Sequence, residues 1–109
     1  MFQSILIPVD GTSGSEHAIP YALGLAQALD PEIIVYRVIT TPVAPSSAGE
    51  EQQAAKYVTK IAEEFRAGGV VAKTMVHRGD PPVEIGKAAV DWNVVAIVMA
   101  TRSRRRVEN

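Results

Sequence analysis

The chain contains no cysteine, so disulfide staples, thiolate metal sites and cysteine nucleophiles are all excluded, and a reducing compartment is the natural setting. No redox chemistry of its own is visible. Histidine is almost as scarce. His17 stands without a second ligand or a nearby nucleophile and reads as a surface residue. There is no nucleophile and base pair and no cluster with metal-ligand spacing, which makes an enzyme the weakest function class, with Asp10 its sole candidate base. The net charge is only −1, which argues against a nucleic-acid footprint over the whole domain. Neither a basic leader nor a long apolar run precedes the first strand. No signal peptide or membrane span is therefore expected, and a cytoplasmic location is the default.

What is present is enough for one core. The 109 residues are 47% hydrophobic and 21% charged, the balance of a single ordinary globular domain. The organising stretch runs Ser4, Ile5, Leu6, Ile7, Pro8, Val9, Asp10, Gly11, Thr12, Ser13. An apolar, β-branched run stopped by Asp-Gly reads as a buried strand that delivers Asp10 into a loop before a helix. Two uses of Asp10 stay open: it caps the helix or holds a turn, or it faces a ligand at the strand's carboxyl end.

The first helix is expected from about Ser13 or Ser15 to Leu29, with Ala18, Ala22, Leu25, Ala26 and Leu29 as its buried stripe. Pro20 predicts a late start or a kink near Glu16 and His17. Residues 32–39 read as a second buried strand, and residues 40–49, with Pro42 and Pro45, as a long loop, either a surface insertion or a lid. A second helix, residues 50–67, carries Ala54, Val58, Ile61, Ala62 and Phe65 on one face and stops at Gly68 and Gly69. The mixed strand of residues 70–77 suits a sheet edge. Asp80 and Pro81 start a third helix, with Asp80 a capping candidate and Ile85, Ala88, Ala89 and Trp92 facing the sheet. Residues 94–99 make a second very apolar strand.

This alternation predicts an α/β fold, a single doubly wound domain with a parallel sheet in the order 3-2-1-4 and helices on both faces. The order reverses between the first and fourth strands. A crevice there has Asp10, Gly11, Thr12 and Ser13 on one wall and residues 100–103 on the other, a place for a nucleotide-sized ligand.

Three short motifs, in order and on the right elements, carry a family likeness. Pro8-Val9-Asp10-Gly11 leads into a serine-bearing helix start, Gly79-Asp80-Pro81 precedes the helix with Ile85, and Val98-Met99-Ala100-Thr101-Arg102-Ser103-Arg104 follows an apolar strand. Together they resemble the universal stress protein family, over residues 1–104 taken as the domain, with 105–109 a basic tail remnant. The resemblance implies a parallel sheet with a fifth strand beyond the fourth, a homodimer, a stress-response role, and ATP or AMP binding in some members but not others. It implies that Asp10 holds the ribose, that Pro8, Val9 and a backbone group near Val38 frame the adenine, and that Thr12, Met99, Ala100, Arg102 and Ser103 belong to the same nucleotide site.

The likeness also implies a glycine loop after the fourth strand, because only a residue without a side chain lets backbone N–H groups close on phosphate. Here Ala100 and Ser103 stand where the first two glycines are expected, and the sequence reads as short at its end, before the later glycine and the fifth strand. The adenosine half of the site is legible and the phosphate half is not. ATP or AMP is therefore expected to bind weakly, with little advantage of ATP over AMP or adenosine. The run Arg102 to Arg106 reads as a solvated tail, with phosphate or nucleic-acid contact as the sharper alternatives. The apolar edge from Val94 to Met99 is expected to pair two copies into a homodimer. The competing reading is a dimeric partner-binding protein of the same fold that ignores nucleotides.

Overall fold

The first strand, β1 (Ser4–Val9), is buried from Ile5 onward on both sides of the pleat, as an unbroken apolar run requires when helices cover both faces of a sheet. The computed structural model describes residues 3–40 and 48–99, and they alternate strand and helix throughout. A 3-10 turn over Ser15–His17 precedes α1 (Ala18–Leu29), then come β2 (Glu32–Thr40), α2 (Ala48–Ala67), β3 (Ala72–Gly79), α3 (Pro81–Asp91) and β4 (Ala96–Ile97). The sheet is parallel throughout, in the order β3-β2-β1-β4. This is the expected doubly wound topology, and β3 lies at an edge as its mixed sequence requires.

Each face of the sheet carries its own core. Ile5, Ile7 and Val9 of β1 and Ile33 and Val35 of β2 meet Ile19, Ala22 and Ala26 of α1 and Val58, Ile61, Ala62 and Phe65 of α2. On the other face Leu6, Ile34, Tyr36 and Val38 meet α3 through Ala88, with Ile85, Ala89 and Trp92 packed around them. Trp92 stands edge-on to Tyr36, their ring centroids 5.5 Å apart at 87°. The expected inner faces of α2 and α3 are thus the ones that pack.

Pro20 explains the stepwise start of α1. The 3-10 turn absorbs the first residues, and α1 begins at Ala18, so Pro20 falls in the first turn, where no N–H is needed. The stripe expected on α1 is half right. Ala18, Ala22 and Ala26 are buried together with Ile19, whereas Leu25 is 40% and Leu29 61% exposed, because the face that meets the sheet is rotated toward Ile19.

Two strands are shifted from their expected bounds. The Val70 N–H donates to Phe65 O at 3.0 Å and the Val94 N–H to Ala89 O at 3.2 Å. Both valines are therefore taken up by helix exits, and β3 and β4 begin two residues late. Asp80 is the residue before α3, but its side chain makes no cap hydrogen bond. Pro82 has no N–H to offer it, and the Val83 N–H does not engage it. The loop expected at residues 40–49 lies mostly outside the described residues, as do Ala100, Arg102, Ser103 and the arginine run.

Candidate functional site

The turn after β1 is built by its own hydroxyls. Gly11 adopts φ +89°, a conformation that costs glycine nothing, and the chain doubles back so that Thr12 donates twice to one oxygen of Asp10. The Thr12 N–H reaches Asp10 Oδ1 at 2.9 Å and the Thr12 hydroxyl reaches it at 2.6 Å. Ser15 closes the loop: its Oγ accepts the Asp10 N–H at 3.1 Å and donates to Thr12 O at 3.0 Å. Asp10 therefore does hold a turn, but through Oδ1 alone. Among the described residues nothing donates to its Oδ2, and the side chain is exposed.

Burial pushes the Asp10 carboxyl up, but the Thr12 hydroxyl and N–H, the Ser15 hydroxyl and the Arg37 guanidinium outweigh it and hold the group below its ordinary 3.8. At neutral pH Asp10 is an anion with one oxygen free. The turn is tied from behind by α2, where the Tyr57 hydroxyl donates to Glu16 Oε2 at 2.7 Å. Burial and that carboxylate push the Tyr57 hydroxyl up to about 12, so it remains a donor.

Asp10 stands at the mouth of a cleft of about 550 Å³, within the size range of small-molecule sites. Pro8, Val9, Val38, Ile85 and Met99 supply its apolar walls, and Asp10, Ser15, Arg37, Thr40 and Glu50 its polar rim. Of the residues read from the sequence, Pro8, Val9, Asp10, Val38 and Met99 come together here. Thr12 stands behind Asp10 without lining the cleft. Ala100, Arg102 and Ser103 lie outside the described residues.

Arg37, Ser15, Tyr36 and Glu50 are cleft residues that the sequence did not single out. Arg37 left a signal: it is the one charge inside the run from Ile33 to Ile39. The other three left none: Ser15 lies in the turn before α1, Tyr36 within the apolar run of β2, and Glu50 in the first turn of α2. Tyr36 is wholly buried at the floor, where its hydroxyl and His77 Nδ1 are 2.8 Å apart. Burial, helped by the Glu84 charge, raises the Tyr36 hydroxyl above its usual value. Among the described residues no group of three or more His, Cys, Asp or Glu side chains could hold a metal ion. No helix among them is long and apolar enough to cross a membrane.

A doubly wound α/β domain with a ligand-sized cleft at the carboxyl ends of β1 and β2, reaching Met99 beyond β4, is the class that fold and site define. The family model of the universal stress proteins (Usp) matches residues 1–109. Universal stress protein MJ0531 of Methanocaldococcus jannaschii is 31% identical over 121 residues, which cover 99% of this chain and 69% of that protein. Among solved structures, universal stress protein UspA from Lactobacillus plantarum matches with a TM-score of 0.79 at 21% identity, over 97% of this chain and 83% of the other. The universal stress protein from Archaeoglobus fulgidus in complex with dAMP matches with a TM-score of 0.65 at 18% identity, over 89% of this chain and 78% of the other. The chain belongs to the universal stress protein family.

Proposed function

We propose that this protein is a cytoplasmic stress-response module that takes an adenine nucleotide into the cleft beside Asp10, through an adenosine subsite whose phosphate side is impaired. The observation that carries the reading is the juxtaposition of an ionised carboxylate, one oxygen free, with the apolar walls of Pro8, Val9, Val38 and Met99. A ribose diol pairs with such a carboxylate, and a flat base fits between such walls. The dAMP complex of the Archaeoglobus fulgidus relative supports the same ligand class. The impairment is read from the sequence, in which Ala100 and Ser103 stand where the family likeness implies glycines that let backbone donors close on phosphate. No catalytic role is assigned.

Isothermal calorimetry with adenosine, AMP and ATP at physiological salt tests this. The expected result is weak binding, ATP no tighter than AMP, and loss of heat in Asp10→Ala. Submicromolar ATP binding that Asp10→Ala abolishes would show that the phosphate side is intact. No heat with any adenine ligand would move the function to the partner-binding class. In either class we propose a homodimer through the outer side of β4, which pairs with β1 alone among the described residues.

A further inference from the structure

At the carboxyl end of β2 the ladder to β1 stops one carbonyl short. The Glu32 N–H donates to Gln3 O at 2.7 Å, and the two strands run in parallel register as far as Val9 opposite Arg37. Backbone polar groups alternate sides along a strand, so the even-numbered residues of β2 turn theirs toward β1. The Val38 carbonyl is the first of these acceptors past the last pair. A continued β1 would bring it the N–H of Gly11, but Gly11 turns away at φ +89°.

Arg37 fills that gap with its side chain. Its Nη1 donates to the Val38 carbonyl at 3.3 Å, and a Cβ at Gly11 would lie 3.6 Å from its Nη2, so the guanidinium stands between the two strand ends. That engages one of the five N–H groups a guanidinium carries. No carboxylate pairs with it among the described residues. Arg37 and Val38 both line the cleft, beside Pro8 and Val9. The apolar wall against which a base lies therefore ends in a row of donors, and the Val38 carbonyl set into it already accepts from one of them.

Such an edge reads a purine by what it carries at its 6-position. Adenine carries an amine there, a donor that would have to share the Val38 carbonyl with Nη1 and face the remaining guanidinium donors. Guanine and hypoxanthine carry a carbonyl, and the planar fork of an arginine takes that oxygen together with the neighbouring ring nitrogen as a bidentate pair. Glu50, the rim carboxylate that would favour an amine, is paired with Arg78 at 3.3 Å.

We propose that Arg37 makes the cleft select a 6-oxopurine, guanine or hypoxanthine, over adenine. The inference rests on the reading of the cleft as the base pocket of a nucleotide, and it acts on the base alone. It also gives the weak binding expected of adenine ligands a second cause, on the side of the cleft away from the phosphates.

The test is calorimetry on the full chain with adenosine, inosine and guanosine, for wild type, Arg37→Met and Arg37→Lys. Nucleosides carry no phosphate, so the readout is the base. Wild type is expected to bind inosine and guanosine about tenfold tighter than adenosine, with a ratio that does not change between low and physiological salt because the ligands are uncharged. In Arg37→Met the ratio falls to one or below. Arg37→Lys keeps a donor but not the fork, so its ratio falls between the two; it carries the test if the methionine variant does not fold. If wild type binds adenosine as tightly as inosine, or if the ratio survives in either variant, the role of Arg37 is refuted and the cleft stands. If a folded wild type binds no nucleoside, the cleft reading fails and the role of Arg37 fails with it.

Discussion

At the scale of single residues the site turns on how Asp10 is held, and Thr12 is the residue to change. Its hydroxyl is the shortest donor to the carboxylate, at 2.6 Å, and Thr12→Val removes that donor while leaving the N–H and the β-branched shape. The Asp10 carboxyl is held below 3.8 in the folded protein, so its stabilisation is fully present above the unfolded value and is lost as pH falls through the lower folded one. Removing the hydroxyl is expected to move the folded midpoint upward. The wild type should then be the more stable of the two at neutral pH, with the gap narrowing but not vanishing once both carboxyls are protonated in acid, because valine also removes the Oγ1 that accepts the Ser15 N–H at 3.2 Å. Carboxyl carbon NMR through an acid titration reads the midpoint directly, and an unchanged midpoint would mean that the hydroxyl does not set the charge. Asp10 itself was legible because a strand ending in Asp-Gly must put that residue at the sheet's rim. Its single free oxygen was not, since that depends on whether Thr12 turns its hydroxyl inward or outward.

At the scale of elements, α3 shows which helical patterns can be read in advance. Asp80, Pro81 and the spacing of Ile85, Ala88, Ala89 and Trp92 marked both its start and its inner face, because α3, the one helix on that face among the described residues, presents a single apolar stripe to the sheet. By contrast α1 has two neighbours, the sheet and the end of α2, where Gln27 Nε2 donates to Gly68 O at 3.3 Å. A stripe of small residues cannot reveal how far that second contact rotates the helix, and Leu25 and Leu29 were accordingly expected on the wrong side. The docking of α3 should respond to substitution in both directions. Trp92 is half-buried and stands edge-on to Tyr36, so Trp92→Ala is expected to cost about 3 kcal/mol, the low end for such truncations. Gly86 lies within α3 with nothing within 4 Å of a Cβ built there. Gly86→Ala should therefore stabilise by about 0.5–1 kcal/mol, because the helix gains propensity without a clash. Urea melts of the two variants measure both. An unchanged midpoint for Trp92→Ala would show that α3 is held by its alanines alone.

At the scale of the whole molecule, the described surface is uneven, and the proposed homodimer can be tested where it is most apolar. Among the described residues β4 is paired with β1 and with no strand on its outer side. The flank of α1 turned away from α2 exposes Tyr21, Leu25 and Leu29 at 77%, 40% and 61%, one helical turn apart. No charged residue occurs in α1 at all. Val98 packs into the core cluster that α1 covers, so the outer side of β4 lies beside α1, while the exposed Ile97, in register with Leu6, points to the α3 face. A two-fold axis normal to the sheet would bring each β4 antiparallel to its copy and each α1 flank toward the other, with no like charges to oppose the contact. Sedimentation velocity over a concentration series should then show a dimer of the wild type. Ile97→Lys places a charge on the edge strand, where Ile97 is already 42% exposed, so it should shift the protein to monomer at the same concentration and leave the far-ultraviolet circular dichroism unchanged. Leu25→Glu is expected to weaken the dimer through the helix flank without touching the strand. A wild type that stays monomeric at high concentration would overturn the interface altogether. A dimer that Ile97→Lys leaves intact would mean that the two copies meet elsewhere.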